Sequence, residues 1–168
     1  MSLKRIMTHL NTPGRVVNKY FPPSSMHAIE EAIKNSEAKH TGEIRFAVES
    51  SLSMSELLGN KSARDKAIEV FSNLHIWDTE ANNGVLIYLL LADRDVEIVA
   101  DRGINAIVGN EGWETICKGM EKLFRDGKFE DGVLHGINEI NAILTKNYPA
   151  TEGKENPNEL PNKPVVIK

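Results

Sequence analysis

The spacing of apolar residues predicts a helix followed by a strand at the start of the folded body. After two prolines, Ser24 or Ser25 can cap a helix, and Gly42 supplies a stop. The apolar stripe of this helix consists of Met26, Ile29, Ala32 and Ile33. Residues 43–49 then alternate between apolar and mostly polar side chains. Such alternation indicates a strand with one wetter face.

The middle of the chain predicts a second helix and then a β-hairpin. Ser62 and Asp65 have the spacing of a capping box and open a helix that would cross back over the sheet. Residues 85–92 are continuously apolar, as expected for a central strand covered on both faces. The polar pair at 93–94 separates this run from a further strand at 96–100, so the two runs are interpreted as a hairpin.

Two further apolar stripes, separated by Gly127, predict two packed helices that cover the sheet. They consist of Trp113, Ile116, Cys117, Met120, Leu123 and Phe124, and of Val133, Ile137, Ile140 and Leu144. The element order predicts an α/β fold, specifically a three-layer α/β/α sandwich with helices on both faces. Its small mixed sheet should contain one right-handed parallel crossover and one hairpin.

Composition and charge divide the chain into three parts. With 168 residues, 40% of them hydrophobic, the chain suits one globular domain. We predict a basic N-terminal segment at 1–21, an α/β domain at 22–148 and an extended polar tail at 149–168. Residues 1–29 hold four basic and no acidic side chains, whereas the whole chain has a net charge of −4. A basic amphipathic head could be a membrane-surface or targeting segment, but four charges over this length also fit an ordinary docked or frayed terminus.

The same figures exclude several classes of function. A net negative charge is not the footprint of a nucleic-acid-binding protein. The longest apolar run is too short to span a bilayer and no signal-peptide pattern precedes it, so we expect no transmembrane segment and a cytoplasmic location. Cys117 is the single cysteine, which excludes an intrachain disulfide and a CxxC pair.

The predicted topology brings oxygen-bearing side chains to one edge of the sheet, where two strands begin and a third ends. Glu43, Asn83 and Asp101 are candidate metal ligands there, and Asp78 lies in an adjoining loop. Carboxylate and amide oxygens suit Ca²⁺ or Mg²⁺. Alternatively, Asn83 is a turn residue before a glycine, and Asp101 satisfies the backbone amides of its turn.

Two arginines near this edge are candidates for binding phosphate or another anion. Arg45 shares a strand face with Glu43, and Arg102 follows Asp101. Glu43 and Arg45 could equally form an exposed ion pair on that face. The opposite edge is also a candidate, since ligands of open α/β sheets usually bind at the carboxyl ends of parallel strands. It carries Ser50, Ser51, Ser53, Asp93, Arg94 and Asp95.

Three motifs resemble the TPM domain family, in particular its short bacterial branch, which is related to thylakoid-lumen phosphatase-like proteins. They are HTGEIRFAVE at 40–49, WDTEANNGVLIYLLLADRDVEIVADRGINAIVG at 77–109 and FRDGKFEDGVLHGI from 124. The resemblance implies an α/β/α sandwich, divalent-cation binding in some members and phosphatase activity in some plant members. The chain departs from the membrane-anchored branch at Asn82, where that branch often has an acidic residue.

The resemblance and the candidate ligands together suggest two functions. The first is a soluble TPM-domain protein that binds Ca²⁺ or Mg²⁺ and regulates or contacts a partner, such as a membrane-anchored TPM relative. The alternative is a metal-assisted phosphatase acting on phosphate monoesters, with a metal held by Glu43, Asp78 and Asp101 activating water, and with Arg45 and Arg102 binding the phosphate. No Cys-x5-Arg, DxDx(T/V) or P-loop motif supports the phosphatase.

Overall fold

The strands of the computed structural model, which describes residues 2–168, form one mixed sheet of order β3-β2-β1-β4. β1 pairs in parallel with β2 and with β4, and β2 pairs antiparallel with β3. The strands are β1 (Glu43–Glu49), β2 (Gly84–Leu90), β3 (Asp95–Ala100) and β4 (Val165–Ile167). The helices are α1 (Leu3–Leu10), α2 (Val16–Tyr20), α3 (Pro23–Glu37), α4 (Met54–Leu58), α5 (Ala63–Asn73), α6 (Arg102–Arg125) and α7 (Phe129–Asn147).

One face of the sheet carries the larger hydrophobic core. β1 directs Ile44, Phe46 and Val48 to this side, where they join residues of α3, α6 and α7 in one buried cluster. The helices contribute Ile29, Ile33, Trp113, Ile116, Met120, Val133, Ile137, Ile140 and Leu144. The two apolar stripes predicted on either side of Gly127 therefore do cover the sheet.

The other face is covered by the crossover between β1 and β2. Ser62 and Asp65 form the predicted capping box at the start of α5, which packs with α4 on this side. The core here is smaller and includes Leu86, Tyr88 and Leu160, the last from the C-terminal segment. With helices on both faces, a parallel crossover and a hairpin, the predicted α/β/α sandwich is confirmed.

The prediction of a wetter face on β1 was wrong, because all seven of its residues are buried. Glu43 is 3% exposed and Arg45 is 6% exposed. The chain after Ala150 crosses this face, and its last residues pair with β1 as β4. Glu43 and Arg45 therefore contact the C-terminal segment, and Glu49 accepts a hydrogen bond from Tyr88, where the sequence pattern indicated contact with water.

Two helix starts also differ from the prediction. α3 begins at Pro23, with Pro22 as its N-cap, so neither serine caps it. α6 begins at Arg102, well before its apolar stripe, because the side chain of Asp101 accepts a hydrogen bond from the Arg102 N–H. Gly109, with φ of 69°, breaks the helical geometry between the start of α6 and its apolar stripe. None of the helices in residues 2–168 is long and apolar enough to cross a membrane.

Candidate functional site

The carboxylate of Glu43 binds the backbone of the C-terminal segment. Its Oε1 accepts a hydrogen bond from the Glu159 N–H at 2.9 Å, and its Oε2 accepts one from the Leu160 N–H at 3.3 Å. β1 begins at Glu43, so this side chain lies at the edge of the sheet where the candidate ligands were expected. The contact fixes the C-terminal segment over the second face of β1.

A second buried carboxyl, that of Glu37, lies beside Glu43 at the end of α3. Its Oε1 accepts from the Ile44 N–H at 3.0 Å, whereas its Oε2 is buried with no hydrogen-bond partner. Burial, and then the charge of Glu43, raises the pKa of Glu37 to about 8. Burial is also the main cause that raises the pKa of Glu43 to about 7. Each of these two carboxyls therefore retains its proton to a higher pH than an exposed carboxyl does.

Arg45 supplies the positive charge beside this pair. One of its guanidinium N–H groups donates to the Pro161 carbonyl, and its Nε is buried without a partner. Burial lowers the pKa of Arg45, while the charges of Glu37 and Glu43 oppose that effect. Since the guanidinium is engaged by the C-terminal segment, Arg45 is a structural tie between β1 and that segment in this conformation.

An open cavity of about 670 Å³ reaches the carboxyl pair, and Glu37, Glu43 and Asn162 line part of it. The Oδ1 of Asn162 is buried and has no hydrogen-bond partner. Asn156 closes one side of the cavity, where its Nδ2 donates to the backbone carbonyls of Glu37 and His40 at 3.0 and 2.9 Å. Two buried oxygens without a hydrogen-bond partner, from Glu37 and Asn162, therefore belong to side chains that line the same cavity.

The candidates Asn83 and Asp101 lie further along the same edge. In the β1–β2 register Glu43 is opposite Gly84, whose carbonyl accepts the Asp101 N–H at 2.9 Å. The Nδ2 of Asn83 donates to Thr41 at 3.3 Å, but its Oδ1 is buried without a partner, as is the Oδ2 of Asp101. The structure thus places the backbones of these candidates at one edge, as the topology predicted.

Asp78 and Arg102, by contrast, are exposed. None of the hydrogen bonds found in residues 2–168 joins either side chain to another candidate residue. Within the same range, no group of three or more His, Cys, Asp or Glu side chains could hold a metal ion. A cation at this edge would need amide oxygens beside its carboxylates, and the predicted ligand set of Glu43, Asp78, Asn83 and Asp101 stays a prediction.

The opposite edge of the sheet is occupied by internal contacts. Asp93 accepts hydrogen bonds from Arg5, at 2.8 Å to Nη2, and contacts the Nε2 of His9 at 2.8 Å. Burial alone would raise the pKa of Asp93, but the bonds from Arg5 and His9 lower it overall. The carboxylate of Asp93 is thus used to dock α1.

A separate cavity of about 410 Å³ lies between β3 and α6 and is lined in part by Asp95, Trp113 and Cys117. Burial, and then the charge of Glu97, raises the pKa of the Cys117 thiol to about 12. A thiol of this pKa stays protonated at neutral pH, so Cys117 lacks the thiolate that a cysteine nucleophile requires.

Sequence reasoning missed Glu37 and Asn162. Glu37 belongs to the predicted first helix, and its place six residues before Glu43 is a usable signal, since Gly42 turns the chain back between them. Asn162 stands in a polar segment without periodicity, and its approach to Glu37 depends on the path of the C-terminal segment. No local pattern signals that path.

Comparison with known proteins identifies the family. Residues 17–143 match the sequence profile of the TPM domain. This chain belongs to the TPM domain family, as its sequence motifs suggested. No curated protein gives a significant match to the chain.

Two solved structures share the fold. The NMR structure of the BA42 protein from the psychrophilic bacterium Bizionia argentinensis is 31% identical, with a TM-score of 0.74 over 86% of this chain and 93% of that one. The N-terminal domain of a protein from P. gingivalis, also solved by NMR, is 15% identical, with a TM-score of 0.61 over 83% of this chain and 92% of that domain. The second likeness concerns the fold alone.

Proposed function

We propose that this TPM-domain protein is a divalent-cation-binding module whose ligands include Glu37, Glu43 and Asn162. One observation carries the proposal. The buried carboxyls of Glu37 and Glu43 lie together, and one oxygen of Glu37 and the side-chain oxygen of Asn162 have no hydrogen-bond partner. All three residues line an open cavity. Two adjacent buried carboxyls whose pKa values are raised, with one arginine beside them, are a place where a bound cation is stabilised.

The chemistry of the donors favours Ca²⁺ or Mg²⁺. The available groups are carboxylate and amide oxygens, and such oxygens are the preferred ligands of hard cations. The cavity has room for the waters that would complete the coordination. Because the carboxyls must lose their proton to bind a cation, binding should release protons and strengthen as the pH rises from about 6 to 8.

The position of the site supports a role in interaction. Asn162 belongs to the C-terminal segment, whereas Glu37 and Glu43 belong to α3 and β1, so a cation would link that segment to the body of the domain. We propose that this link controls a surface for a partner protein. The family resemblance makes a membrane-anchored TPM relative the first candidate for that partner.

Isothermal titration calorimetry of the full chain with CaCl₂ and MgCl₂ tests the proposal. Heat is expected from the wild type and from Asp78→Asn, an exposed candidate that serves as the control. Glu37→Gln and Glu43→Gln should each weaken binding at least about tenfold, since each removes a charged ligand. A thermal-unfolding scan of every variant shows whether it is folded.

Two results would overturn the assignment. A wild-type chain that gives neither heat nor a thermal shift with both metals has no site of this kind. Binding that survives Glu37→Gln but is lost in Asp101→Asn would move the site along the edge to Asn83 and Asp101.

The phosphatase alternative has less support in the part of the chain that the structure describes. Arg45 is buried and bound to the Pro161 carbonyl, whereas Arg102 is exposed, so the two do not form one phosphate cradle in this conformation. An assay with an aryl phosphate, comparing the wild type with Glu43→Gln and Asp101→Asn, tests it directly. If the wild type hydrolyses the aryl phosphate and both variants do not, the result would support the phosphatase alternative.

A further inference from the structure

Exposed apolar side chains concentrate on two neighbouring short helices. Nine large hydrophobic residues are strongly exposed among those the structure describes, and five of them lie on α1 and α4. These five are Leu3, Met7, Leu10, Met54 and Leu58. On α1 the exposures are 76% for Leu3, 51% for Met7 and 60% for Leu10. A cluster of this kind marks a surface that contacts something other than water.

The face of α1 opposite its exposed apolar residues contacts the rest of the domain. Arg5 and His9 make the docking contacts, with Arg5 donating to the Lys61 carbonyl at 2.8 Å and His9 Nδ1 accepting from the Leu52 N–H at 3.0 Å. Since a helix turns about 100° per residue, Leu3, Met7 and Leu10 fall nearly opposite Arg5 and His9. The fold therefore fixes α1 with its apolar stripe facing outward.

The same contacts place α1 alongside α4. Leu52 and Lys61 flank α4 on its two ends, and α1 touches both through His9 and Arg5. α4 exposes Met54 and Leu58, four residues apart and so on one side of the helix, while burying Leu57. We call the five exposed residues on these two helices the apolar patch.

The charged side chains of α1 are basic, and the one acidic side chain of α4, that of Glu56, is ion-paired. Residues 1–29 contain four basic and no acidic side chains. Asp93 is bound by Arg5 and His9, and Glu56 is bound by Lys66 at 2.6 Å. Lys4, on α1, forms no ion pair within residues 2–168. The rest of the chain carries the acidic excess, so the N-terminal segment that contains α1 is basic and the remainder of the chain is acidic.

We propose that the apolar patch docks the protein on the surface of an anionic lipid bilayer. Exposed Leu and Met side chains on a helix with basic neighbours are the features of helices that lie in the membrane interface. Anionic headgroups attract the basic segment, and the acidic body is repelled from them, which orients the patch toward the lipid. This surface lies apart from the Glu37 and Glu43 pair and does not depend on the proposed cation site.

A second copy of the chain fits the apolar patch less well. Packing two patches together would bring two basic, acid-free segments against each other. An amphipathic helix usually docks into a groove of its protein partner. The stripe on α1 is convex, so two copies packed patch to patch provide no such groove. Charge therefore favours lipid over self-association.

Co-sedimentation of the full chain with lipid vesicles tests the inference. The wild type should pellet with vesicles of phosphatidylcholine and phosphatidylserine, remain in solution with phosphatidylcholine alone, and lose binding as salt is added. The variant Leu3→Ser/Met7→Ser/Leu10→Ser should bind at least about tenfold more weakly, because it removes the inserted side chains. The matched control is Ile68→Ser/Ile107→Ser, exposed apolar residues on other helices, and it should bind like the wild type.

Three outcomes would overturn the inference. They are failure of the wild type to pellet with anionic vesicles, equal binding by the triple variant, and loss of binding in the control. A wild-type dimer in gel filtration that the triple variant converts to monomer would assign the patch to self-association instead. All five side chains changed in the triple variant and its control are exposed, so a thermal-unfolding scan should show both variants folded.

Discussion

The Glu43 carboxylate binds the N–H of Glu159, a residue 116 positions further along the chain, at 2.9 Å. The neighbouring Leu160 N–H binds the other oxygen of the same carboxylate. One side chain at the start of β1 thus holds two consecutive peptide groups of the C-terminal segment. Because both acceptors are buried, the contact contributes more to attaching that segment than an exposed hydrogen bond would.

Weakening this contact should release the C-terminal segment. In Glu43→Gln the amide keeps one acceptor oxygen but places an NH₂ group against a backbone N–H, so one bond is replaced by a repulsive contact. We expect a loss of about 2 kcal/mol in the free energy of unfolding. Trypsin should also cut faster after Lys154, as followed by mass spectrometry. Glu155→Gln, exposed in the same segment, is the control and should match the wild type.

The same cleavage rate in Glu43→Gln and in the wild type would show that the segment is held by other contacts. β4 pairing and the burial of Leu160 would then carry the attachment.

Stability should fall as the pH rises through the titration of the carboxyl pair. The pKa of Glu37 is raised from 4.5 to about 8, so the folded chain binds its proton more tightly than the unfolded chain does. The free energy of unfolding therefore decreases between about pH 4.5 and pH 8. Glu37→Gln should remove a decrease on the order of 5 kcal/mol, measured by urea unfolding across this range in metal-free buffer. A wild-type curve with no such slope would contradict the placement of this pair.

His40 should give the opposite slope at lower pH. It is fully buried, and burial lowers its pKa from 6.5 to about 4. The unfolded chain binds the proton more tightly here, so the stability that neutral His40 contributes is lost as the pH falls from 6.5 to 4. His40→Gln should flatten this part of the stability curve, and direct titration of the His40 ring by NMR measures its pKa. A ring that titrates near 6.5 would disprove the burial effect.

The tie between Arg5 and Asp93 should be measurable as a coupling energy. A double-mutant cycle with Arg5→Ala and Asp93→Ala, followed by urea unfolding, should give about 1 to 2 kcal/mol, since the pair is half-buried and hydrogen-bonded. The exposed pair Glu31 and Lys34, 3.8 Å apart, should give about 0.3 kcal/mol and serves as the control. Equal couplings in the two cycles would mean that Asp93 is not what anchors α1.

Gly84 should tolerate no side chain. A Cβ built there would lie 2.2 Å from the backbone carbonyl oxygen of Ile76, so Gly84→Ala must displace the loop before β2. We expect a loss of about 2 kcal/mol or more in thermal and urea unfolding. Gly14→Ala is the matched control, because nothing lies within 4 Å of its Cβ position, and it should change stability little. A stable Gly84→Ala would show that the loop can move at little cost.

The elements of the body were predictable because each has a strong local pattern. The capping box of Ser62 and Asp65, the continuous apolar run from residue 85 and the stripes around Gly127 each appear in the structure. Local rules failed where tertiary contacts decide. The polar residues of β1 looked solvent-facing because alternation records polarity, and polarity does not distinguish contact with water from contact with another part of the chain.

The candidate site was predictable only in outline. Topology correctly placed the backbones of Glu43, Asn83 and Asp101 at one edge of the sheet. It could not show that Glu37 reaches the same place from the end of α3, nor that the C-terminal segment brings Asn162 there. The first depends on the direction of a side chain and the second on the path of a distant segment, and neither produces a periodic pattern in the sequence.

The pairing of β4 with β1 also sets an order of events during folding. β1 leaves the ribosome early, but the strand that completes its outer edge is made only after α5, α6 and α7. Until then Glu43 and Arg45 have no partners from that segment and the edge of β1 is open to other chains. The nascent protein therefore passes through a stage with an unprotected strand edge, and closing that edge is among the last steps by which it becomes resistant to aggregation.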